Sequence, residues 1–464
     1  MMVGGTGEGI AMKLTILGGG GFRTPFVWQA LLRDRGEPRI TEVALHDLDG
    51  SRLATMTLIL RQFAQHYPDA PALSAHTELE AAVEGADFVF AAVRVGGNEG
   101  RCSDERVALD LDVLGQETTG PGGIAYALRT LPVMLRVAEV VQGLAPHAYL
   151  LNFTNPAGII TEALQSVLGD RVVGICDTPS GLGRRVAAAL DLDPDTVQLD
   201  YLGLNHLGWL RRVYAGGVDV LPGLLADDAR LARLEEAEVF GVEWLRELGL
   251  IPNEYLYYYY CNRDAVRAIR RASETRGQAL LRTQQAFFEA AAGAGSGASE
   301  LWQRAVRERE AGYLAEARDE TRTAERPTDP VLDPAQLGYA GVALGVMTAI
   351  SRNEPRTMIL NVRNAGTITA LPSDAVVEVP TLVDGNGMHP LALSEQPDLH
   401  QLGLMQQVKA VERHAIAAAL TGSRREAMLA FALHPLVGSV RTARALVQGY
   451  AAADPALAAR LTGD

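Results

Sequence analysis

The chain has 464 residues, of which 48% are hydrophobic and 21% charged, and a formal net charge of −14. This composition excludes a disordered or fibrous protein, the length exceeds what one core usually holds, and an acidic balance without a Lys/Arg run excludes nucleic acid and anionic membrane surfaces as partners. Three scattered cysteines, Cys102, Cys176 and Cys261, make no disulfide framework, and no apolar run has the length of a membrane span or the layout of a signal peptide, so a reducing cytoplasm is expected.

In chain order, residues 1–11 read as a floppy extension. "KLTILGG" (13–19) is a strand closed by glycines, and "TPFVWQALLRD" (24–34) a helix entered through Thr24 and Pro25. "ITEVALHD" (40–47), "DFVFAAV" (87–93), "AYLLNF" (148–153) and "RVVGI" (171–175) continue as strands separated by helical stretches. Such alternation implies parallel pairing through right-handed crossovers, hence an α/β doubly wound parallel sheet, Rossmann-like as in lactate and malate dehydrogenases. Ligands of such a sheet bind beyond the carboxyl ends of its strands. The texture changes near residue 200. "NVRNAGTITALPSDAVVEVPTLV" (361–383) reads as antiparallel strands, 404–453 as a helical tail broken near Gly422 and Pro435, and 289–329 as the segment most prone to be mobile or poorly packed. The expected division is a dinucleotide-binding domain at 12–200 and a second α+β domain at 201–464 for substrate, metal and oligomer contacts. Because the region after 200 looks too irregular to bury its apolar faces alone, a homodimer or homotetramer is expected.

"LGGGGFRTP" (17–25) sits where the first strand turns into the first helix, the place where bare amides and a helix N-terminus meet a pyrophosphate. Gly18 and Gly20 fit the first two positions of the dinucleotide fingerprint, whereas Arg23 stands where a third glycine belongs. Asp47 closes the second strand, where a carboxylate accepts from ribose hydroxyls and repels a 2′-phosphate, which favours NAD. Cys176 and Asp177 close a later strand, and His206 follows in "GLNHLGW" (203–209). Singly, each has a bland role as core, cap or structural donor. Together, a thiolate and an imidazole facing one cleft suit a catalytic divalent ion whose open positions a substrate completes.

The blocks "GQETTGPGGIAYALR" (115–129), "LNFTNPAGIITEA" (151–163), "ICDTP" (175–179), "GLNHLGW" (203–209) and "IPNEYLYYY" (251–259) resemble, in order and spacing, the NAD- and manganese-dependent enzymes of glycoside hydrolase family 4. This resemblance implies hydrolysis of 6-phosphorylated glucosides by oxidation at C3, elimination of the aglycone, water addition and re-reduction. It places Mn2+, or another divalent ion, on Cys176 and His206, makes Tyr255 the base at C2, and makes Asp177 the acid that protonates the leaving oxygen. Arg101 and Arg276 take the positions that grip the 6-phosphate, Arg94 lies in the same stretch as Arg101, and Asn155 hydrogen-bonds the sugar. The "CD" pair favours an α-linkage, with the β-linked phosphosugar as the alternative and a 2-hydroxy acid dehydrogenase of the lactate/malate type as the second. The partner implied is a small (phospho)disaccharide or glucoside.

Overall fold

The structure, a computed structural model, describes residues 11–311 and 338–463. The expected extension at 1–10 and the part of the expected mobile segment from 312 to 329 lie outside the described residues.

Thirteen strands among the described residues form one sheet: β1 (Met12–Leu17), β2 (Ile40–His46), β3 (Ala72–His76), β4 (Phe88–Ala91), β5 (Tyr149–Asn152), β6 (Val172–Gly174), β7 (Val197–Leu204), β8 (Leu207–Ala215), β9 (Val218–Asp219), β10 (Ile251–Pro252), β11 (Arg356–Arg363), β12 (Val376–Asp384) and β13 (Gly387–Pro390). Strands β1 to β6 pair in parallel in the spatial order β3-β2-β1-β4-β5-β6, the doubly wound order of dinucleotide-binding sheets, with the chain reversing direction across the sheet between β1 and β4. Their fully buried apolar runs, such as Phe88–Ala91, are what a sheet covered by helices on both faces requires.

The sheet does not stop at residue 200. Strand β11 pairs antiparallel with β6 through Asn361 and Gly174, then with β12, and β12 joins β7 through Glu378 and Gly203. The second half is therefore mixed α+β, as its sequence texture predicts, and is hydrogen-bonded edge to edge onto the parallel half. Leu202, Trp209, Leu256 and Leu360 share a buried core with Leu14, Ile16 and Phe90 of the first half. The region after residue 200 thus buries much of its apolar material against its own chain, while Val218, Leu399, Leu420 and Val440 stay exposed.

The expectation of poor packing also fails over 289–311. Helices at Arg276–Ala292 and Ala298–Ala311 occupy this stretch, and Trp302 is completely buried. Its ring meets Phe22, Phe26 and Phe63, and its Nε1 donates to the Phe22 carbonyl at 2.9 Å. Composition misleads here because one indole, packed on three aromatics, supplies burial that a stretch of Ala, Gly and charged residues does not advertise.

Candidate active site

The first β-to-α turn is packed to contact. Gly18 has φ +80°, and a Cβ built there would lie 2.5 Å from the Ala92 carbonyl. At Gly20 a Cβ would lie 2.9 Å from Asp47 Oδ2, which accepts the Gly20 amide at 3.0 Å while Oδ1 accepts that of Asp49. These glycines are thus required by the ends of β2 and β4, and Asp47 is held in one orientation at the carboxyl end of β2, where a ribose would lie. Arg23 does not crowd the helix–strand contact that a third glycine would open. Its guanidinium lies 4.9 Å from the ring centroids of both Phe153 and Tyr339, and the Tyr339 hydroxyl donates to its carbonyl at 2.9 Å. The turn, with the Phe22 amide and a helix N-terminus beside an oriented carboxylate, fits a dinucleotide.

Beyond the carboxyl ends of β5 and β6 opens a cavity of about 1050 Å³. Seven of the predicted residues line it: Arg101, Asn155, Cys176, Asp177, His206, Tyr255 and Arg276. Gly18, Gly20 and Asp47 are not among its lining, and neither is Arg94, although Arg23 and Phe22 of the same turn are. Asn155 lines this cavity, and its Oδ1 is buried without a hydrogen-bond partner among the described residues, which a buried polar atom ordinarily has.

His206 owes its place to the tight β7–β8 hairpin, whose two connecting residues are Asn205 and His206, the latter at φ +61°. A left-handed backbone at a non-glycine residue costs on the order of 1 kcal/mol and is found where a site demands it. Gln116 Oε1 accepts from the Thr118 hydroxyl at 3.2 Å, so that hydroxyl is an acceptor toward His206 Nδ1 at 3.1 Å. The proton therefore sits on Nδ1, and Nε2 offers its lone pair to the cavity, the arrangement that metal-binding imidazoles use. Burial pushes the ring's pKa down to about 4 against the opposing pull of Glu117 and Asp177, so His206 is neutral at pH 7. Burial, with Glu378 and Asp177 adding, raises the Cys176 thiol well above its ordinary value, while the Thr178 amide and hydroxyl favour the thiolate. A cation beside the sulfur is what would offset that cost. Among the described residues no cluster of three or more His, Cys, Asp or Glu side chains could hold a metal. The donor set fits an open catalytic ion completed by substrate oxygens and does not fit a closed structural one.

Tyr255 lies face to face with His206, its ring centroid 3.8 Å away and the planes within 4°. It is carried there by β10, which pairs with β8 just after the hairpin, and by Asn253, whose amide N–H donates to the Gly208 carbonyl at 2.9 Å and whose Oδ1 accepts the Tyr255 amide at 3.0 Å. Of the tyrosines that follow, Tyr257 and Tyr258 are both buried and both line the cavity. Tyr260 accepts from Trp209 Nε1 at 2.9 Å, outside the cavity lining. Behind the site, the fully buried Glu378 accepts from Tyr201 at 3.0 Å, Asn361 at 2.9 Å and Asn205 at 3.4 Å, and Tyr201 accepts in turn from Asn253. One carboxylate thus ties the His206 turn to the Tyr255 segment. Burial lifts its pKa to about 7 against those hydrogen bonds.

The two predicted anion grips differ. Arg101 is buried and already bridged by Glu105 at 2.7 Å and Glu117 at 2.8 Å. Burial would raise the Glu117 pKa, but Arg101 and Arg94, which also pairs with it, hold it down at about 2. Arg276 opens the helix Arg276–Ala292, beside Gly277, whose amide donates to Glu105 at 2.9 Å. Both arginines therefore belong to one wall. Nothing in the sequence marked Gln116, Glu117, Glu378 or Tyr339 as parts of this site; the first two lie in a quoted block, and the others arrive from distant segments through the fold.

Residues 13–192 match the family described as family 4 glycosyl hydrolase, and residues 201–437 match its C-terminal domain. The chain belongs to glycosyl hydrolase family 4. A probable 6-phospho-beta-glucosidase of Bacillus subtilis is 32% identical over 447 residues, which are 94% of this chain and 95% of the relative. A 6-phospho-alpha-glucosidase of Leptotrichia buccalis is 29% identical over 94% of this chain and 96% of the relative. Among solved structures of family 4, the 6-phospho-beta glucosidase of Thermotoga maritima with manganese, NAD+ and glucose-6-phosphate superposes with a TM-score of 0.80 at 28% identity, covering 96% of this chain and 99% of that one. Family 4 relatives thus include both anomeric specificities at similar distance, and the chain is a glycoside hydrolase. Among the described residues no helix is long and apolar enough to cross a membrane.

Proposed function

We propose that this glycoside hydrolase cleaves 6-phosphorylated α-glucosides with NAD and Mn2+ as cofactors. The observation that carries the reading is the single cavity that gathers Cys176, Asp177, His206, Tyr255, Asn155 and Arg276. Cys176 and His206 Nε2 would hold the ion, and the turn at Gly18 and Gly20 with Asp47 would hold the dinucleotide. When bound, these groups supply reversible oxidation at the sugar's C3 and a Lewis acid for its C2 and C3 oxygens, which together make the C2 proton acidic. Tyr255, fixed against His206, takes that proton. Asp177 gives a proton to the departing glycosidic oxygen. Asn155 Oδ1 accepts a sugar hydroxyl, and Arg101 and Arg276 hold the 6-phosphate from one wall.

The α preference rests on Asp177 directly after Cys176, the "CD" pair by which the sequence resembles the α-acting branch of the family. The same machinery on β-linked phosphosugars is the second reading, favoured by the relative at 32% identity. Turnover of α- and β-linked 4-nitrophenyl glucoside 6-phosphates with NAD and Mn2+ separates them. The expected result is nitrophenol from the α anomer with no net change in absorbance at the NADH band. Faster release from the β anomer overturns the linkage, and NADH accumulation overturns the hydrolytic cycle.

A further inference from the structure

The helix Thr178–Ala189 presents Thr178, Gly181, Arg184 and Arg185 to the cavity, with Asp177 at its start. These positions, three and four apart, make one continuous helix face. The two arginines have opposite circumstances. Arg185 is consumed: it pairs with the fully buried Glu236, with Glu254 at 3.5 Å and with Glu235 at 3.7 Å. Arg184 is half-buried and, among the described residues, has no hydrogen bond and no ion pair. Asp177 acts on it only at a distance beyond an ion pair, and burial holds its guanidinium below the ordinary arginine range. A desolvated cation without a counter-ion is costly unless a ligand completes it. Arg271 also lines the cavity without a described ion pair, but it is exposed and water serves it.

Between Asp177 and Arg184 this face carries only Thr178 and Gly181 toward the cavity. Gly181 carries no side chain, and a Cβ there would lie 3.1 Å from Arg185 Nη1. Seven residues of helix carry the chain roughly 10 Å from Asp177 to Arg184. Resting on the reading of Asp177 as the acid toward the glycosidic oxygen, we propose that Arg184 is the cation of a leaving-group subsite, which selects aglycones carrying an oxyanion, a carboxylate or phosphate, on the side remote from the bond that breaks. Arg101 and Arg276 serve the sugar's own phosphate on a different wall.

The test compares kcat/KM for aryl glucoside 6-phosphates of one linkage whose ring bears either a carboxylate or an isosteric carboxamide at the far position, with a phosphate-bearing ring as a third arm. Wild type is expected to favour the anionic aglycones by about 10- to 100-fold, the range for a hydrogen bond to a charged group. In Arg184→Gln that ratio falls toward one while turnover of the carboxamide substrate stays at the wild-type level, and Arg184→Lys keeps part of the preference. An unchanged ratio in Arg184→Gln, or an equal loss on all three substrates, overturns the proposal. Failure of wild type on every substrate would instead overturn the 6-phosphoglucosidase reading, so the two failures are distinct.

Discussion

Replacing Trp302 by alanine probes how the second half of the chain supports the dinucleotide turn. The indole is completely buried among Phe22, Phe26 and Phe63 and donates to the Phe22 carbonyl at 2.9 Å. Truncating a buried aromatic of this size costs about 3–5 kcal/mol, and the orphaned carbonyl adds about 1 kcal/mol. Trp302→Phe keeps most of the ring contact and loses only the N–H, so it should cost about 1–2 kcal/mol. Phe22 immediately precedes Arg23 at the helix N-terminus, so loosening it should weaken NAD as well. Urea midpoints read the stability, and calorimetric titration reads NAD affinity. The expected order is wild type, Trp302→Phe, Trp302→Ala in both. An alanine variant with the wild-type midpoint and wild-type affinity would refute the packing of Ala298–Ala311 against the turn.

Glu117→Gln should destabilise by about 3 kcal/mol, because it leaves Arg94 and Arg101 without their shared carboxylate; a shift in urea midpoint checks it, with a rise in KM for the phosphosugar expected alongside. Glu378→Gln sets an amide against three converging donors, Tyr201, Asn205 and Asn361. It should cost about 1–3 kcal/mol and lower kcat while leaving NAD affinity near wild type. His434 is buried, accepts the Leu436 amide on Nδ1 at 3.1 Å, and is pushed by burial to a pKa of about 3. Its folded pKa lies below the unfolded value near 6.5, so its contribution is whole above pH 6.5 and drains as pH falls toward 3. The gap in Tm between wild type and His434→Leu should therefore narrow from pH 7.5 to pH 4.5, and a constant gap would contradict the assignment.

The parallel half was legible because its strands are short, apolar and regularly interleaved with helices. Five of its six strands stand within a residue or two of where the pattern puts them. The sixth, β3, has the sequence ALSAH and only half-buried or exposed residues, so an edge strand with little apolar content left no period to read. The glycine turn was legible as a turn, but its glycines answer to Ala92 and Asp47, contacts fixed by strands that the local sequence does not show. Cys176, Asp177, His206 and Tyr255 were legible as chemistry, and the cavity gathers all four. What holds them was not. The His206 tautomer depends on Gln116 and Thr118, nearly ninety residues earlier in the chain, and the link between the His206 and Tyr255 segments runs through Glu378 on β12. The continuity of the sheet across residue 200 was equally hidden, because antiparallel pairing of β6 with β11 joins segments far apart in sequence.

The proposed chemistry requires a divalent ion seated between the Cys176 sulfur and His206 Nε2, within reach of a bound dinucleotide. Anomalous diffraction at the manganese edge, from crystals grown with Mn2+, NAD and glucose 6-phosphate, measures this directly. One strong peak bonded to Cys176 Sγ and His206 Nε2 is expected, with the sugar's C2 and C3 oxygens completing its shell and Tyr255 beside C2. A peak held by other side chains, or a fully occupied sugar and dinucleotide with no peak at Cys176 and His206, would contradict it.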